Sequence, residues 1–299
     1  MHGFAGNSVQ IRFALPAEAL RPFVTTYYRT EVVCSPRTPW LEDWLHPEWA
    51  NLRFLSAGRA RAVIGAGELC PSASFTVTGP TSRAMRFRLG SGHSWGIGLL
   101  PLGWAQLMAG AASDYADRFV DGAVDPVFAA FVPLAKALAD SDGDHAAELA
   151  LIEAHMARLL DGAGRGDPAI LALHAALIDP DMLTVADLAA QLGVTVRSVE
   201  RLSRRVFGFP PKLLLRRQRF LRSLQRFMLD PSRKWLGSLD CHYHDQSHFV
   251  RDFRRFMGMC PSAYARADKP LMAAAARARM AAAGAAVQGL HLPEGAATA

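Results

Sequence analysis

The sequence lacks the signatures of several common classes of protein. Its four cysteines form no CxxC pair, so their spacing indicates neither a zinc ribbon nor a disulfide framework, and we expect a reducing cytoplasm as the setting. The N-terminus has no basic region followed by an apolar run, and Pro101 and Gln106 interrupt the longest apolar tract, residues 96–112. We therefore expect neither an export signal nor a membrane span. In GSGHSWGIG, Trp95 stands in the place of the third glycine of GxGxxG, so no dinucleotide site is expected.

Positive charge is concentrated in one part of the chain. The formal net charge is +6 over 299 residues. Residues 167–270 hold 17 lysines and arginines against 10 acidic residues, whereas the rest of the chain holds 16 against 17. This asymmetry favours a polyanionic partner for the C-terminal part, although a solvated helical face would also carry many arginines.

The first hundred residues are predicted to be rich in β-strands. Apolar and polar residues alternate in SVQIRFAL and in RAMRFRL, as they do in strands with one buried face. Two further runs, NLRFL and RARAVIG, flank Ser56, Ala57 and Gly58, which predicts a β-hairpin. Several short strands at this spacing are typical of a small barrel or sandwich.

Helices and a linker follow the strands. HAAELALIEAHMARLL places Leu149, Ile152, Met156 and Leu159 on one helical face, and the glycine-rich DGAGRG is the predicted linker. We therefore predict an α+β protein with four parts. They are a β-rich, barrel-like sensor or dimerisation domain (1–160), the linker (161–166), an all-α domain (167–268) and a disordered, alanine-rich tail (269–299).

Two short helices joined by a glycine turn lie in the predicted all-α domain. In LTVADLAAQLGVTVRSVERLSRRVFG, Thr184 has capping-box spacing, Gly193 supplies a tight turn, and Thr195 can cap a second helix that runs to about Phe207. Three apolar residues of that second helix would face inward and its arginines outward; the apolar ones are Val199, Leu202 and Val206. This pattern indicates a helix-turn-helix.

A long helix is predicted next. PPKLLLRRQRFLRSLQRFMLDP has an apolar side and an arginine-rich side, and it is bounded by Pro211 and Pro231. At about 1.5 Å per residue the helix would be roughly 28 Å long, close to the ~34 Å that separates successive major grooves on one face of DNA. It could therefore space two DNA-reading units.

The stretch HYHDQSHFVRDFRRFMG repeats the pattern of the first unit. A short helix in WLGSLDC precedes it, Asp245 can cap a helix, and Phe249, Phe253 and Phe256 would face inward. A metal site is the alternative, because His242, His244 and His248 are close in sequence. No HExxH arrangement is present, and the flanking cysteines lack ligand spacing. We therefore predict neither a metal nor another cofactor.

These motifs carry a resemblance to a known family. Residues 167–268 resemble the DNA-binding domain of AraC/XylS transcriptional regulators in LAAQLGVTVRSVERLSRRVFG, LRRQRFLRSL and YHDQSHFVRDFRRFMGMCPSAY. The resemblance implies two helix-turn-helix units joined by a helix, with both recognition helices able to enter adjacent major grooves. It implies a sequence-specific transcriptional regulator, an activator or a repressor, and not an enzyme.

The resemblance also implies roles for individual side chains. The base-contacting positions that it implies are Arg197, Glu200 and Arg201 in the first recognition helix and Gln246, Ser247, Val250 and Arg251 in the second. We expect phosphate contacts, or simple solvation, from six other arginines: Arg204, Arg205, Arg216, Arg219, Arg254 and Arg255. Departures from the family at His242 and Gly237 leave open whether the second helix reads bases or contacts mainly phosphates. Ser203 replaces a usual apolar aromatic residue and is expected to loosen the first unit slightly.

The N-terminal part resembles, more weakly, the β-rich domains that precede this module in part of the family, through RPFVTTYY and GIGLLPLGWAQLMAG. The resemblance implies a small-molecule effector and a homodimer as further partners besides operator DNA, with RNA polymerase if the protein is an activator. Bulky residues that could line an effector pocket, or simply pack in the core, are Trp40, Trp44, His46, Trp49, His93 and Trp95.

Two enzymatic functions are alternatives to gene regulation. Some DNA-repair proteins attach a methyl-accepting cysteine to this kind of module, which needs an activated thiolate. Cys34 and Cys70 lie outside the Pro-Cys-His signature of such acceptors. A cupin-like metalloenzyme would need paired histidines near His46 or His93, and the sequence has none there. Both readings are therefore less favoured than DNA binding.

Overall fold

The N-terminal half folds into two antiparallel β-sheets. The computed structural model describes residues 7–162, 166–230, 239–243 and 245–292, and the statements below concern these ranges. Six strands form the first sheet in the order β1-β2-β9-β4-β7-β10, and four form the second in the order β3-β8-β5-β6. The strands are β1 (Ser8–Ala14), β2 (Val24–Val33), β3 (Leu41–Leu45), β4 (Asn51–Ala57), β5 (Ala60–Ile64), β6 (Cys70–Pro71), β7 (Phe75–Thr78), β8 (Met85–Leu89), β9 (Gly92–Leu99) and β10 (Phe119–Asp121).

The predicted strands form, but the predicted hairpin does not. β4 pairs with β7 and β9 in the first sheet, whereas β5 pairs with β6 and β8 in the second. The turn at Gly58, with φ at +103°, therefore carries the chain from one sheet to the other. Alternation identifies strands but not their partners, because the pairing of strands depends on which faces are buried in the whole fold. The hairpin prediction is wrong for that reason.

Ten α-helices are present in the described residues. They are α1 (Pro101–Leu107), α2 (Val132–Ala139), α3 (His145–Leu159), α4 (Pro168–Ile178), α5 (Val185–Gln191), α6 (Val196–Phe207), α7 (Pro211–Leu229), α8 (Gln246–Met257), α9 (Pro261–Arg266) and α10 (Pro270–Ala283). The predicted caps form: Thr184, Thr195 and Asp245 each accept a hydrogen bond from the backbone N–H three residues later. The helix starts in the C-terminal half are thus encoded locally.

The alanine-rich C-terminal segment is a docked helix. α10 contacts β1 and β3, the edge strands of the two sheets, and buries its Leu271, Ala275 and Arg279, which are spaced four residues apart. The carboxylate of Asp43 in β3 accepts hydrogen bonds from the backbone of Leu271 and Met272, both at 2.9 Å. Alanine has the highest helix propensity of the amino acids. An alanine-rich segment can therefore form an ordered helix where one of its faces is buried. The prediction of a disordered tail is therefore wrong for residues 270–292, and residues 293–299 lie outside the described ranges.

The hydrophobic core does not divide at the predicted linker. One cluster of buried apolar residues runs from Leu20 to Leu214, and α6 contacts both α1 and the short helix Ala112–Asp114. The first helix-turn-helix unit therefore shares its core with the N-terminal sheets. Residues 163–165 of the predicted linker are not described, and the four-part division stays a prediction.

Among the described helices, none combines the length and the apolar character that crossing a lipid bilayer requires.

Candidate nucleic-acid interface

The first candidate reading helix is α6, and its inner face is apolar. Gly193, with φ at +63°, makes the turn from α5, and Thr195 caps α6 by accepting from the N–H of Ser198 at 3.2 Å. Val199 and Val206 are buried, and Leu202 is half-buried. The helix-turn-helix geometry follows from these local features, as the sequence predicts.

The outer face of α6 is available to a partner. Its charged residues are all exposed: Arg197, Glu200, Arg201, Arg204 and Arg205. Within the described ranges, no hydrogen bond or ion pair holds any of these five side chains. We call this set the first basic face. A guanidinium that has no internal partner is free to reach a base edge or a phosphate.

Ser203, for which a slight loosening of the first unit was predicted, makes a hydrogen bond within that unit. Its hydroxyl is fully buried and donates a hydrogen bond of 2.8 Å to the carbonyl oxygen of Phe209. This bond ties the last turn of α6 to the loop that leads into α7. A buried hydroxyl is stabilising when its hydrogen bond is made, so the replacement of an aromatic residue is compensated here.

The connecting helix α7 carries a buried arginine that the sequence pattern did not reveal. Arg217 is fully buried and donates through Nη1 to the carbonyls of Thr81, at 2.9 Å, and Glu48, at 3.3 Å. Its guanidinium lies 4.0 Å from the ring centroid of Trp49. Burial lowers the pKa of Arg217 to about 9, so the group keeps its charge at pH 7. The connecting helix is therefore fixed to the N-terminal sheets by polar contacts as well as apolar ones.

The second candidate reading helix is α8, and it packs against α7 through aromatic rings. Phe249, Phe253 and Phe256 are buried, as predicted. The ring of Phe220 in α7 lies edge-on to Phe253 at 5.4 Å and stacks on Phe256 at 5.0 Å. Asp245 caps the helix by accepting from the N–H of His248 at 2.6 Å.

The outer face of α8 resembles that of α6 in composition and exposure. Gln246, Ser247, Arg251, Arg254 and Arg255 are exposed, and Val250 is half-buried. We call this set the second basic face. The structure thus leaves both sets of predicted base-contacting residues accessible, as DNA binding requires.

Arg216 and Arg219 are engaged inside the protein. Asp252, which is fully buried on the inner side of α8, accepts a hydrogen bond from Nε of Arg216 and lies 3.5 Å from Nη2 of Arg219. The hydroxyl of Tyr243 donates to the same carboxylate at 3.0 Å, and the guanidinium of Arg219 lies 4.7 Å from the Tyr243 ring centroid. These two arginines hold α8 on α7.

The structure describes only part of the segment for which a metal site was considered. The predicted helix at 235–241 lies mostly outside the described ranges, and His244 does too. Asp240, Cys241 and His242 place one ligand-type atom each within 4.8 Å of one another. The Asp240 carboxylate already accepts from Nε of Arg222 at 2.6 Å and from the His242 N–H at 3.1 Å. Its role in the described structure is therefore an ion pair between α7 and the turn before α8.

The six candidate pocket residues are not brought together. Trp49 and Trp95 are buried in the core, where Trp95 donates to Glu148 at 2.7 Å. Nε2 of His93 lies 3.8 Å from the carboxylate of the same Glu148. The guanidinium of Arg59 lies over the ring of Trp40. His46 alone of the six lines the cavity between the two sheets; Trp44 is half-buried beside the core of α7 and α8. Five of the six residues therefore lie outside this cavity, and Trp49 and Trp95 pack in the core, the other interpretation of their pattern. Contact of any of the six with an effector stays a prediction.

The cavity has polar residues that the sequence reading missed. Arg53, Arg279 and Gln288 line it. The i, i+4 spacing of Leu271, Ala275 and Arg279 was the available signal, since it places the arginine on the apolar face of a helix.

The thiols of Cys34 and Cys70, the candidate alkyl acceptors, make hydrogen bonds only to backbone carbonyls among the described residues. The thiol of Cys34 lies 3.7 Å from the carbonyl oxygen of Leu89, and that of Cys70 lies 3.7 Å from the carbonyl oxygen of Glu68. A carbonyl oxygen does not remove the thiol proton, and activation of a cysteine needs a base or a cation.

Comparison with known proteins identifies the C-terminal module. Residues 188–267 match the sequence model of a helix-turn-helix domain family. ToxT from Vibrio cholerae O395 is similar in structure over 88% of this chain and 98% of its own, at 10% identity and a TM-score of 0.40. The AraC-like transcriptional activator CuxR is similar over 72% of this chain and 86% of its own, at 13% identity and a TM-score of 0.29. At such TM-scores neither likeness assigns this chain a ligand or a site. No curated protein matches the sequence.

Proposed function

From the AraC-type helix-turn-helix domain that residues 188–267 carry, we propose that this protein regulates transcription by reading an operator with two helices, α6 and α8. The protein is a DNA-binding regulator and not an enzyme. The observation that carries the proposal is the exposure of both basic faces on helices whose opposite faces are fully packed.

The side chains divide by chemistry into two roles. Arginine can donate two hydrogen bonds to guanine, glutamine can pair with adenine, and glutamate can accept from cytosine. We assign base contacts to Arg197, Glu200 and Arg201 in the first unit. In the second unit we assign them to Gln246, Ser247, Val250 and Arg251. Phosphate contacts, which would position the protein without reading sequence, we assign to the exposed Arg204, Arg205, Arg254 and Arg255. For Arg216 and Arg219, which pair with Asp252, a phosphate contact stays a prediction.

The length of the connecting helix supports the reading of one duplex by both units. α7 has 19 residues, so its length is about 28 Å, comparable with the ~34 Å pitch of B-DNA. It contacts both α6 and α8, and Arg216, Arg219 and Phe220 in its first half hold α8. Two adjacent major grooves on one face of the duplex would then be read together.

The test is a gel-shift measurement on the operator selected from a random DNA pool. Arg197→Ala or Arg201→Ala should weaken binding to that operator by about 1–3 kcal/mol and relax base preference at one position, because a bidentate contact is lost. Arg37→Ala is the matched control, since it removes one exposed positive charge far from the helix-turn-helix module. Unchanged affinity and unchanged base preference in both α6 variants would refute the residue roles.

Further partners follow from the resemblance and from the cavity. The cavity between the sheets supports a small-molecule effector, and the four unpaired cysteines fit a reducing cytoplasm. A homodimer and contact with RNA polymerase stay predictions.

A further inference from the structure

The cavity between the two sheets is lined on one side by the C-terminal segment. It has a volume of about 160 Å³ and takes lining residues from both sheets, from α10 and from residues 286–288. Most of the lining is apolar, as shown by Phe13, Met85, Phe87 and Leu271. An apolar cavity of about 150 Å³ is large enough to hold a benzene ring. The space therefore fits a ligand with one ring or a short branched chain.

One charged group in this cavity has too few partners. Arg279 is 6% exposed, and its Nη1 donates to the hydroxyl of Thr26 at 2.8 Å. Its Nε and Nη2 are buried and have no hydrogen-bond partner among the described residues. Burial lowers the pKa of Arg279 to about 10, so the guanidinium is charged at pH 7. The ring of Phe13, whose centroid lies 5.8 Å from Cζ of Arg279, is the other neighbour of the charge. A buried guanidinium whose Nε and Nη2 lack acceptors is costly, which calls for an anion at this place.

The acidic residue of the cavity does not supply that anion. Glu48 lines the cavity, but its carboxylate is paired with Nη2 of Arg53. The neighbouring His46 is neutral, because burial and the charge of Lys269 lower its pKa to about 3. Arg53 and Glu48 are half-buried and pair with each other, and Arg61, which also lines the cavity, is exposed. The buried Arg279 therefore carries an excess positive charge at the cavity.

We propose that this cavity binds a small monocarboxylate whose apolar body lies between the sheets and whose carboxylate accepts hydrogen bonds from Arg279. A planar carboxylate matches the two free N–H directions of a guanidinium. The apolar lining disfavours a phosphate, which would leave its remaining oxygens without donors. Binding itself depends on the cavity alone, and only its consequence for transcription rests on the proposed function.

The ligand would be connected to the second reading unit by a short path. α10 begins four residues after α9 ends, and Lys269 donates to the carbonyls of Tyr264 and Ala267, both at 2.5 Å. The hydroxyl of Tyr264 in α9 is hydrogen-bonded to Nε2 of His46, a cavity residue, at 2.8 Å. A ligand that fixes Arg279 would thus fix α10 and, through α9, the base of α8.

Calorimetric titration of the full chain with paired probes tests the site. The probes are benzoate, 3-methylbutanoate and inorganic phosphate, and each acid is paired with its neutral amide. We expect saturable binding of at least one acid, at least tenfold tighter than its amide. Equal affinity of acid and amide, phosphate binding without acid binding, or no binding of either acid at millimolar concentration would overturn the proposal.

Two variants of α10 locate the anion. Arg279→Met should reduce acid affinity at least tenfold, whereas Arg277→Met, an exposed arginine on the same helix, should leave it unchanged. The melting temperature of unliganded Arg279→Met should equal or exceed that of the native chain, because an unpaired buried charge is removed. A lower melting temperature with unchanged acid affinity would show that Arg279 is structural only. Operator binding measured without ligand should be the same in both variants, so failure of this site is distinguishable from failure of the DNA-binding proposal.

Discussion

Removing the carboxylate of Asp252 should release the second reading helix from the connecting helix. Asp252 is fully buried. Its carboxylate pairs with Arg216 and Arg219 and accepts a hydrogen bond from the hydroxyl of Tyr243. Removing one partner of a buried ion pair costs about 3–5 kcal/mol. The Arg216 side chain is 36% exposed and the Arg219 side chain 20% exposed, so both can turn partly toward water after the change. We therefore expect about 3 kcal/mol for Asp252→Ala, at the lower end of that range.

The loss should be local, and hydrogen exchange measures it residue by residue. A loss of about 3 kcal/mol reduces amide protection roughly 100-fold, at about 1.4 kcal/mol per factor of ten. We expect this decrease in α8 and none in α6, because α6 belongs to the core that it shares with the N-terminal sheets. Glu200→Gln removes an exposed carboxylate and is the matched control.

The DNA-binding readout follows from the same geometry. In the Asp252→Ala variant, the second half of the operator should no longer contribute to binding affinity. The base preference in the first half should be unchanged. Native-like protection of α8 in this variant would refute the reasoning, because it would mean that solvation of the freed arginines compensates for the lost pairs.

Two further predictions concern buried polar groups. Ser203→Ala leaves the Phe209 carbonyl oxygen without its hydrogen-bond donor. The free energy of unfolding, measured by urea denaturation, should therefore fall by about 1–3 kcal/mol. A gain in stability would contradict the assigned hydrogen bond. Burial raises the pKa of Asp43 to about 6 from its ordinary 3.8, so its contribution to stability is fully present below pH 4 and is lost as the pH rises through 6. The difference in unfolding free energy between the native chain and Asp43→Asn should therefore change by about 3 kcal/mol between pH 4 and pH 7, against the native chain at higher pH. A difference independent of pH would show that folding leaves the pKa of Asp43 unshifted and would contradict the prediction.

Local signals in the sequence determined the helix-turn-helix units. Thr195 and Asp245 cap helices because a side-chain oxygen near a helix start satisfies an N–H that has no other partner. The spacing of the apolar residues along each helix indicates which helix face is buried. The exposure of Arg197 and Arg251 was therefore predictable from the sequence. Both features depend only on residues within a few positions of each other.

The tertiary structure decided the rest, because it depends on contacts between residues far apart in sequence. The neighbours of β4 and β5, the docking of α10 and the burial of Arg217 each join segments separated by many residues. An arginine on a helix is read from the sequence as exposed, since burying its charge is costly. Only the fold shows that Arg217 meets two carbonyls and an aromatic ring, while Arg279 meets one hydroxyl at the edge of a cavity.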